Sequence, residues 1–226
     1  MLKATYLGHS CVMVTDGKYN IIIDPFLTGN PQANIKPEDV KVDFILLTHG
    51  HGDHMGDAIP IAKKNNATII APNELAVYVS LKGAKAHNMH IGGAHNFPFG
   101  RVKLTIAHHG SAAGDEMKYT GEPCGFLITM GGKTMYHSGD TGLFLDMKLI
   151  GEMNNIDLAF LPIGDNFTMG VTDAVKAVEF LKPKKVVPIH YKTWPVIDAE
   201  PKDFVEKLKG QSVKAVIVEP GDSIEA

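Results

Sequence analysis

Short apolar runs recur along the chain, and most are closed by Gly, Pro, Asn or Asp, the punctuation of strands and turns. Leu2–Leu7, Cys11–Thr15 and Tyr19–Asp24 read as an opening meander, with Asp16-Gly17 as a hairpin turn and Asp24-Pro25 as its end. Residues 28–41 are rich in Pro, Asn and Gly and read as a surface loop, long enough to serve as a lid or pocket wall. Phe44–Thr48 is a buried strand, and Gly56–Lys64 a short helix. Ala67–Ala71 is a β-branched strand, followed by a helix that Asn73 caps and that runs to about Leu81. Lys85–Ile91 and Phe97–Ala107 carry more strand, with Gly92-Gly93 and Phe99-Gly100 as turns, and residues 112–124 form a polar loop. Gly125–Met130 and Thr134–His137 make a hairpin around Gly131-Gly132, and Leu143–Met153 is helical. Asp157–Pro162 is a strand, Thr172 caps a helix to about Leu181, and Lys184–Ile189 is a strand. A helix over Lys202–Lys209 and a strand over Lys214–Glu219 close the chain. Strand-rich meanders, each followed by helix–strand units, predict two packed sheets with helices on their outer faces.

The length of 226 residues suits one α/β domain, expected over residues 1–226. Hydrophobic residues make up 44% and charged residues 21%, an ordinary globular balance, and the net charge of −3 offers no basic face for nucleic acid. Met1–Tyr6 runs straight into Gly8-His-Ser10 without an apolar leader core, and no apolar run has the length to cross a bilayer. Cys11 and Cys124 sit among small or apolar residues and read as buried thiols. A cytoplasmic protein with no membrane partner is the expectation. Gly132-Lys133-Thr134 is only the tail of a phosphate-loop pattern; Leu127 stands where its first glycine belongs, so the triplet is read as a turn.

The chemistry concentrates in Leu47-Thr-His-Gly-His-Gly-Asp-His-Met55, which holds His49, His51, Asp53 and His54. The spacing excludes the helical pattern that needs two histidines four residues apart. On a loop at a strand end, His49 and His51 share one side of extended backbone, while Asp53 and His54, past a glycine, can serve a second ion. Imidazole and carboxylate suit zinc, and also manganese or iron. Further ligands are expected at other strand ends: His108 or His109, Asp140 between two glycines, and His190 after Val186-Val-Pro-Ile189. Alternation along the strand does not choose between His108 and His109.

His49-x-His51-x-Asp53-His54 resembles the signature of the metallo-β-lactamase superfamily, whose fold is an αββα sandwich of two mixed sheets. Gly8-His-Ser10, Asp24-Pro-Phe26, Tyr136-His-Ser-Gly-Asp-Thr141, Leu161-Pro-Ile-Gly164 and Pro188-Ile-His-Tyr191 resemble a branch of bacterial and archaeal metal-dependent hydrolases, itself similar to lactonases acting on sugar-acid phosphates. The resemblance selects His109, which directly precedes Gly110-Ser111. It implies two divalent ions: one held by His49, His51 and His109, the other by Asp53, His54 and His190, with Asp140 as the bridge. Zinc is the first expectation for both, with manganese or iron as alternatives. Such ions lower the pKa of water towards neutrality, and Asp53 is placed to orient the nucleophile.

Around this set, Asp24 and His137 are expected to support the ligands, and His9 and Asn166 to contact substrate. Tyr191 and Trp194 are packing aromatics or pocket wall. His87, His90 and His95 fall outside the motif loops and are read as non-functional. The expected activity is hydrolysis of a small molecule, a lactone or phosphoester, with homo-oligomers open. A nuclease-like or phosphodiester-processing relative is the alternative, and a non-catalytic metal-binding scaffold the second.

Overall fold

The computed structural model describes residues 2–226. The first half holds β1 (Lys3–Tyr6), β2 (Val12–Thr15), β3 (Asn20–Ile23), β4 (Phe44–Leu46), α1 (Gly52–Met55), α2 (Ala58–Asn65), β5 (Thr68–Pro72), α3 (Asn73–Leu81) and β6 (Lys85–Met89). The second half holds β7 (Ala94–Phe97), β8 (Gly100–Ile106), β9 (Ala112–Ala113), β10 (Lys118–Tyr119), β11 (Cys124–Met130), β12 (Lys133–His137), α4 (Asp146–Met153), β13 (Leu158–Pro162), α5 (Val171–Leu181), β14 (Lys185–Ile189), α6 (Pro201–Lys207), β15 (Lys214–Ala215) and β16 (Ser223–Glu225).

Two seven-stranded mixed sheets result, ordered β16-β1-β2-β3-β4-β5-β6 and β15-β14-β13-β12-β11-β8-β7. Each is antiparallel on one side and parallel on the other, the switch falling at β3–β4 in the first and β12–β13 in the second. The two halves therefore share one pattern that no sequence repeat announces.

Side-chain alternation builds the layers. In β3, Ile21 and Ile23 face the other sheet, while Ile22 faces outward. Between the sheets lie Tyr6, Val14, Leu46 and Ile70 from one and Leu104, Phe126, Phe160 and Val187 from the other. Outside the first sheet, Ile22, Ile45 and Ile69 receive Ile61 of α2 and Leu75 and Val79 of α3. Outside the second, Leu127, Leu161 and Val186 receive Met147 of α4, Ala177 and Leu181 of α5, and Phe204 of α6. Parallel strands covered on both faces read as continuous apolar runs, which is why β3, β4 and β13 show no polar alternation.

Several expectations shift locally. Asp53 and His54 lie in a helical turn, α1, rather than on an open loop. Gly56 then separates it from α2 with φ 39°, where an added Cβ would meet Pro25 O at 2.5 Å. Asn73 is the first residue of α3 and spends its side chain on Asn88 and Glu74 instead of capping; Gly170, not Thr172, occupies the cap position of α5. The turn expected at Phe99-Gly100 falls one residue earlier, at Pro98-Phe99, where Phe97 pairs with Gly100 and closes the β7–β8 hairpin. The last strand stops at Ala215, and the chain returns to pair β16 with β1. Residues 112–124 include the small β9–β10 ladder.

Candidate metal centre

The ends of β1, β3, β4, β8, β12 and β14 meet at one edge of the sandwich, each followed by a polar loop. These loops carry His9, Asp24, His49 with His51, His109, Asp140 and His190 respectively. Among the described residues, side chains that could hold a metal fall into three clusters whose donor atoms lie within 4.8 Å of one another: His49, His51 and His109; His9, Asp53, His54 and His190; and His49, His54 and Asp140.

Asp140, 2% exposed, sits in the middle. His190 Nε2, His54 Nε2 and His109 Nε2 stand 3.0, 3.2 and 3.6 Å from its Oδ2. Yet His54 Nε2, both ring nitrogens of His190 and Asp140 Oδ1 are buried without a hydrogen bond of acceptable geometry. Leaving buried polar atoms unpaired is costly. Imidazole nitrogens crowding one carboxylate oxygen without hydrogen bonds is the arrangement that divalent ions would satisfy. The donor set of imidazoles and carboxylates fits zinc, manganese or iron.

The other ring nitrogens fix the tautomers. Asp24 is fully buried; its Oδ1 accepts from Thr48 N at 2.9 Å, and its Oδ2 accepts from Thr48 Oγ1 at 2.6 Å and His54 Nδ1 at 2.7 Å. With its hydroxyl hydrogen so committed, Thr48 Oγ1 accepts from His49 Nδ1 at 2.9 Å. One aspartate thus commits Nδ1 of both His54 and His49 and aims their Nε2 atoms inward, where a bound cation would take the lone pair. His49 Nε2 meets His51 Nδ1 at 3.0 Å. His137 is buried and also fixed: Gly139 N–H donates to its Nδ1 at 3.1 Å, and its Nε2 donates to Ser10 O at 3.0 Å. It ties the Asp140 loop to the His9 loop.

Burial pushes the imidazoles of His49, His51 and His109 down, which keeps them neutral, the form that ligates. Burial also pushes the carboxyls of Asp53 and Asp140 up, but the neighbouring histidines outweigh it and hold both below the ordinary carboxylate range. His54 goes the other way: burial lowers it, and Asp140, Asp24 and Asp53 together raise it.

His109, not His108, points into the centre. His108 stacks on Phe144 with rings 5.1 Å apart and nearly parallel. His9 is fully buried with both ring nitrogens engaged, Nδ1 with Thr193 Oγ1 at 2.7 Å and Nε2 with Asp53 Oδ2 at 3.1 Å. Burial lowers its pKa to about 4, so it is neutral; Thr193 donates to Nδ1, and Nε2–H is spent on Asp53 rather than on a substrate. Asn166 is exposed and does not line the cavity, because the left-handed backbone at Asp165 and Asn166 turns the next residue, Phe167, towards it. Tyr191 is buried under α5 and α6, whereas Trp194 lines the cavity. No residue of the 28–41 loop lines it either. That loop braces instead, with Gln32 accepting from His9 N and donating to Tyr191 O at 2.8 Å each. His87, His90 and His95 join none of the three clusters.

Sequence reasoning missed Thr48, Thr193, Gln32 and Phe167. Thr48 directly precedes His49 and Phe167 is a lone aromatic in a polar turn, signals available in the chain. Thr193 and Gln32 act only across distant loops.

A family model described as a beta-lactamase superfamily domain matches residues 19–191. A UPF0173 metal-dependent hydrolase of Bacillus velezensis is 60% identical, over 99% of this chain and 99% of its own. Another, YtkL of Bacillus subtilis, is 59% identical over 99% and 100%. The solved structure of Igni18, a metallo hydrolase of the hyperthermophilic archaeon Ignicoccus hospitalis, superposes with a TM-score of 0.90 at 37% identity, covering 99% of this chain and 97% of that one. The architecture, the clustered ligands and these likenesses agree: the chain belongs to the metallo-β-lactamase superfamily, among its UPF0173 metal-dependent hydrolases.

Proposed function

We propose that the chain is a dinuclear hydrolase of a small molecule. His49, His51 and His109 would hold one divalent ion, Asp53, His54 and His190 the other, and Asp140 would be shared. The observation that carries this is the convergence of three imidazole nitrogens on Asp140 Oδ2 without hydrogen-bond geometry. When bound, such ions polarise a substrate oxygen and make a nucleophile from water near neutral pH. The protein's part is orientation. Asp24, through Thr48, sets the tautomers of His49 and His54. His9, through Asp53 Oδ2, fixes the carboxylate that would help hold the second ion and position the nucleophile. Zinc is the first candidate metal, a lactone or phosphoester the substrate class, and the cytoplasm the location. Two buried, unpaired thiols suit that compartment. Neither nucleic acid nor membrane is proposed as a partner, and a homo-oligomer is compatible with the fold.

Elemental mass spectrometry on protein purified without added metal tests the reading. Two ions per chain are expected, falling to one or none in Asp140→Asn together with most hydrolytic activity. Unchanged metal content and turnover in that variant would overturn the shared-ligand assignment.

A further inference from the structure

Apart from Asp53 and the ligating side chains, the cavity over the centre, about 540 Å³, is lined by Gly52, Phe167, Trp194 and Val196. No Lys or Arg lines it among the described residues. The chain's one arginine, Arg101, bonds Asn96 within the β7–β8 hairpin. The neighbouring cleft, which shares the Val196 wall, adds Asp165, Asp173 and Asp198. A phosphate group entering here would be met by the ions alone, with carboxylates around it and no Arg or Lys to neutralise its remaining charge, whereas phosphate sites ordinarily add those side chains.

The apolar wall is built, not incidental. Phe167 is 51% exposed and Val196 52%, both at the cavity. Phe167 stands at the tip of a tight loop after β13, where Asp165 and Asn166 adopt φ of 62° and 49°. Asp165 N donates to Met169 O at 3.1 Å, and Met169 N donates to Thr141 O at 3.0 Å, directly beside Asp140. Trp194, on the loop after β14, is backed by the rings of His9 at 5.0 Å and Phe26 at 6.1 Å. Left-handed backbone at two successive non-glycine residues is uncommon and clusters at functional sites. Here it presents an unpartnered phenyl ring over the metal ligands.

We infer that the site takes an uncharged acyl substrate, an ester or lactone, whose apolar group lies against Phe167, Trp194 and Val196, and that phosphoesters are poor substrates. This rests on the hydrolase reading above and narrows it. In the reaction, water's oxygen bonds to the acyl carbon and the acyl C–O bond breaks. One proton goes to the leaving oxygen and the other is released as the carboxylate forms.

The test compares p-nitrophenyl acetate, butyrate, hexanoate and phenylacetate with p-nitrophenyl phosphate and bis(p-nitrophenyl) phosphate, all releasing one chromophore, on protein of measured metal content. Each buried methylene is worth about fourfold. We expect kcat/KM to rise at least tenfold from acetate to hexanoate, and the phosphoesters to fall at least a hundredfold below hexanoate. Phe167→Ala and Val196→Asp should flatten the acyl-length dependence.

Binding is read separately, because Trp194 is the only tryptophan. Hexanamide and phenylacetamide should change its fluorescence, less tightly in Phe167→Ala, while phenyl phosphate should not. Amide binding without turnover of any ester would sink the hydrolase reading and leave the apolar pocket standing. Phosphoesters outrunning hexanoate, or an acyl-length profile that is flat in the wild type, would overturn the inference while hydrolysis stood. Failure of both turnover and amide binding would overturn both.

Discussion

Asp24→Asn tests how the centre is held. The substitution keeps the size of the side chain, and asparagine tolerates the left-handed backbone found at position 24 (φ 47°), so little new strain arises. One amide oxygen can still accept from Thr48 N. The amide nitrogen then replaces Oδ2, which accepts from both Thr48 Oγ1 and His54 Nδ1. Two donors would face each other, and the economical escape is for His54 to move its proton from Nδ1 to Nε2. That proton would occupy the lone pair aimed at the metal position. Loss of such a supporting partner weakens metal binding about 10–100-fold, or roughly 1.4–2.7 kcal/mol. Losing one charged hydrogen bond would also cost metal-stripped protein about 1.5–3 kcal/mol, a drop in Tm of about 3–12 °C for a chain of this size. Chelator competition followed by elemental analysis reads the first effect, and thermal unfolding of stripped protein the second. Wild-type metal affinity in Asp24→Asn would refute the tautomer argument. A Tm within a degree of wild type would refute the energetic one.

His137→Phe should leave Gly139 N–H and Ser10 C=O buried and unpaired, costing about 2–6 kcal/mol. Thermal unfolding of stripped protein should show a lower Tm, and an unchanged Tm would mean that His137 does not tie the two loops. At Asp157, partial burial nudges the carboxyl up, but Lys184 Nζ at 2.8 Å, Thr134 N–H at 3.0 Å and Lys133 Nζ at 3.2 Å outweigh it, and the pKa falls to about 2. Because the folded value is depressed, the stabilisation is present above about pH 4 and lost as pH falls towards 2. With Lys184 largely exposed, about 1 kcal/mol is the appropriate size. Urea melts of stripped wild type and Asp157→Asn should therefore converge by that amount between pH 5 and pH 2.5, and parallel pH profiles would discard the assignment.

Much of this protein is legible in the chain. The apolar runs of β3, β4 and β13 announce strands buried on both faces, and the helices that cover them follow at the right places, because burial of a periodic face is a local property of sequence. The candidate ligands are equally local: His49, His51, Asp53 and His54 stand in one short stretch, and His109, Asp140 and His190 each follow a strand. Their convergence is not local. It depends on β1, β3, β4, β8, β12 and β14 ending at one edge of two sheets, which only strand order and direction decide.

The same holds for the proton positions. Nothing in the chain says that Asp24 serves two histidines through Thr48, or that His9, separated by most of the chain from Thr193, is occupied on both nitrogens. Register also escaped the pattern where elements are short and polar: β16 carries no alternation strong enough to be seen, yet it pairs with β1 because the folded sheet offers that edge. Local hydrophobic pattern fixed the elements and the stock of ligands. Packing of the two sheets decided which lone pairs face the centre, and placed Phe167 and Trp194 over it.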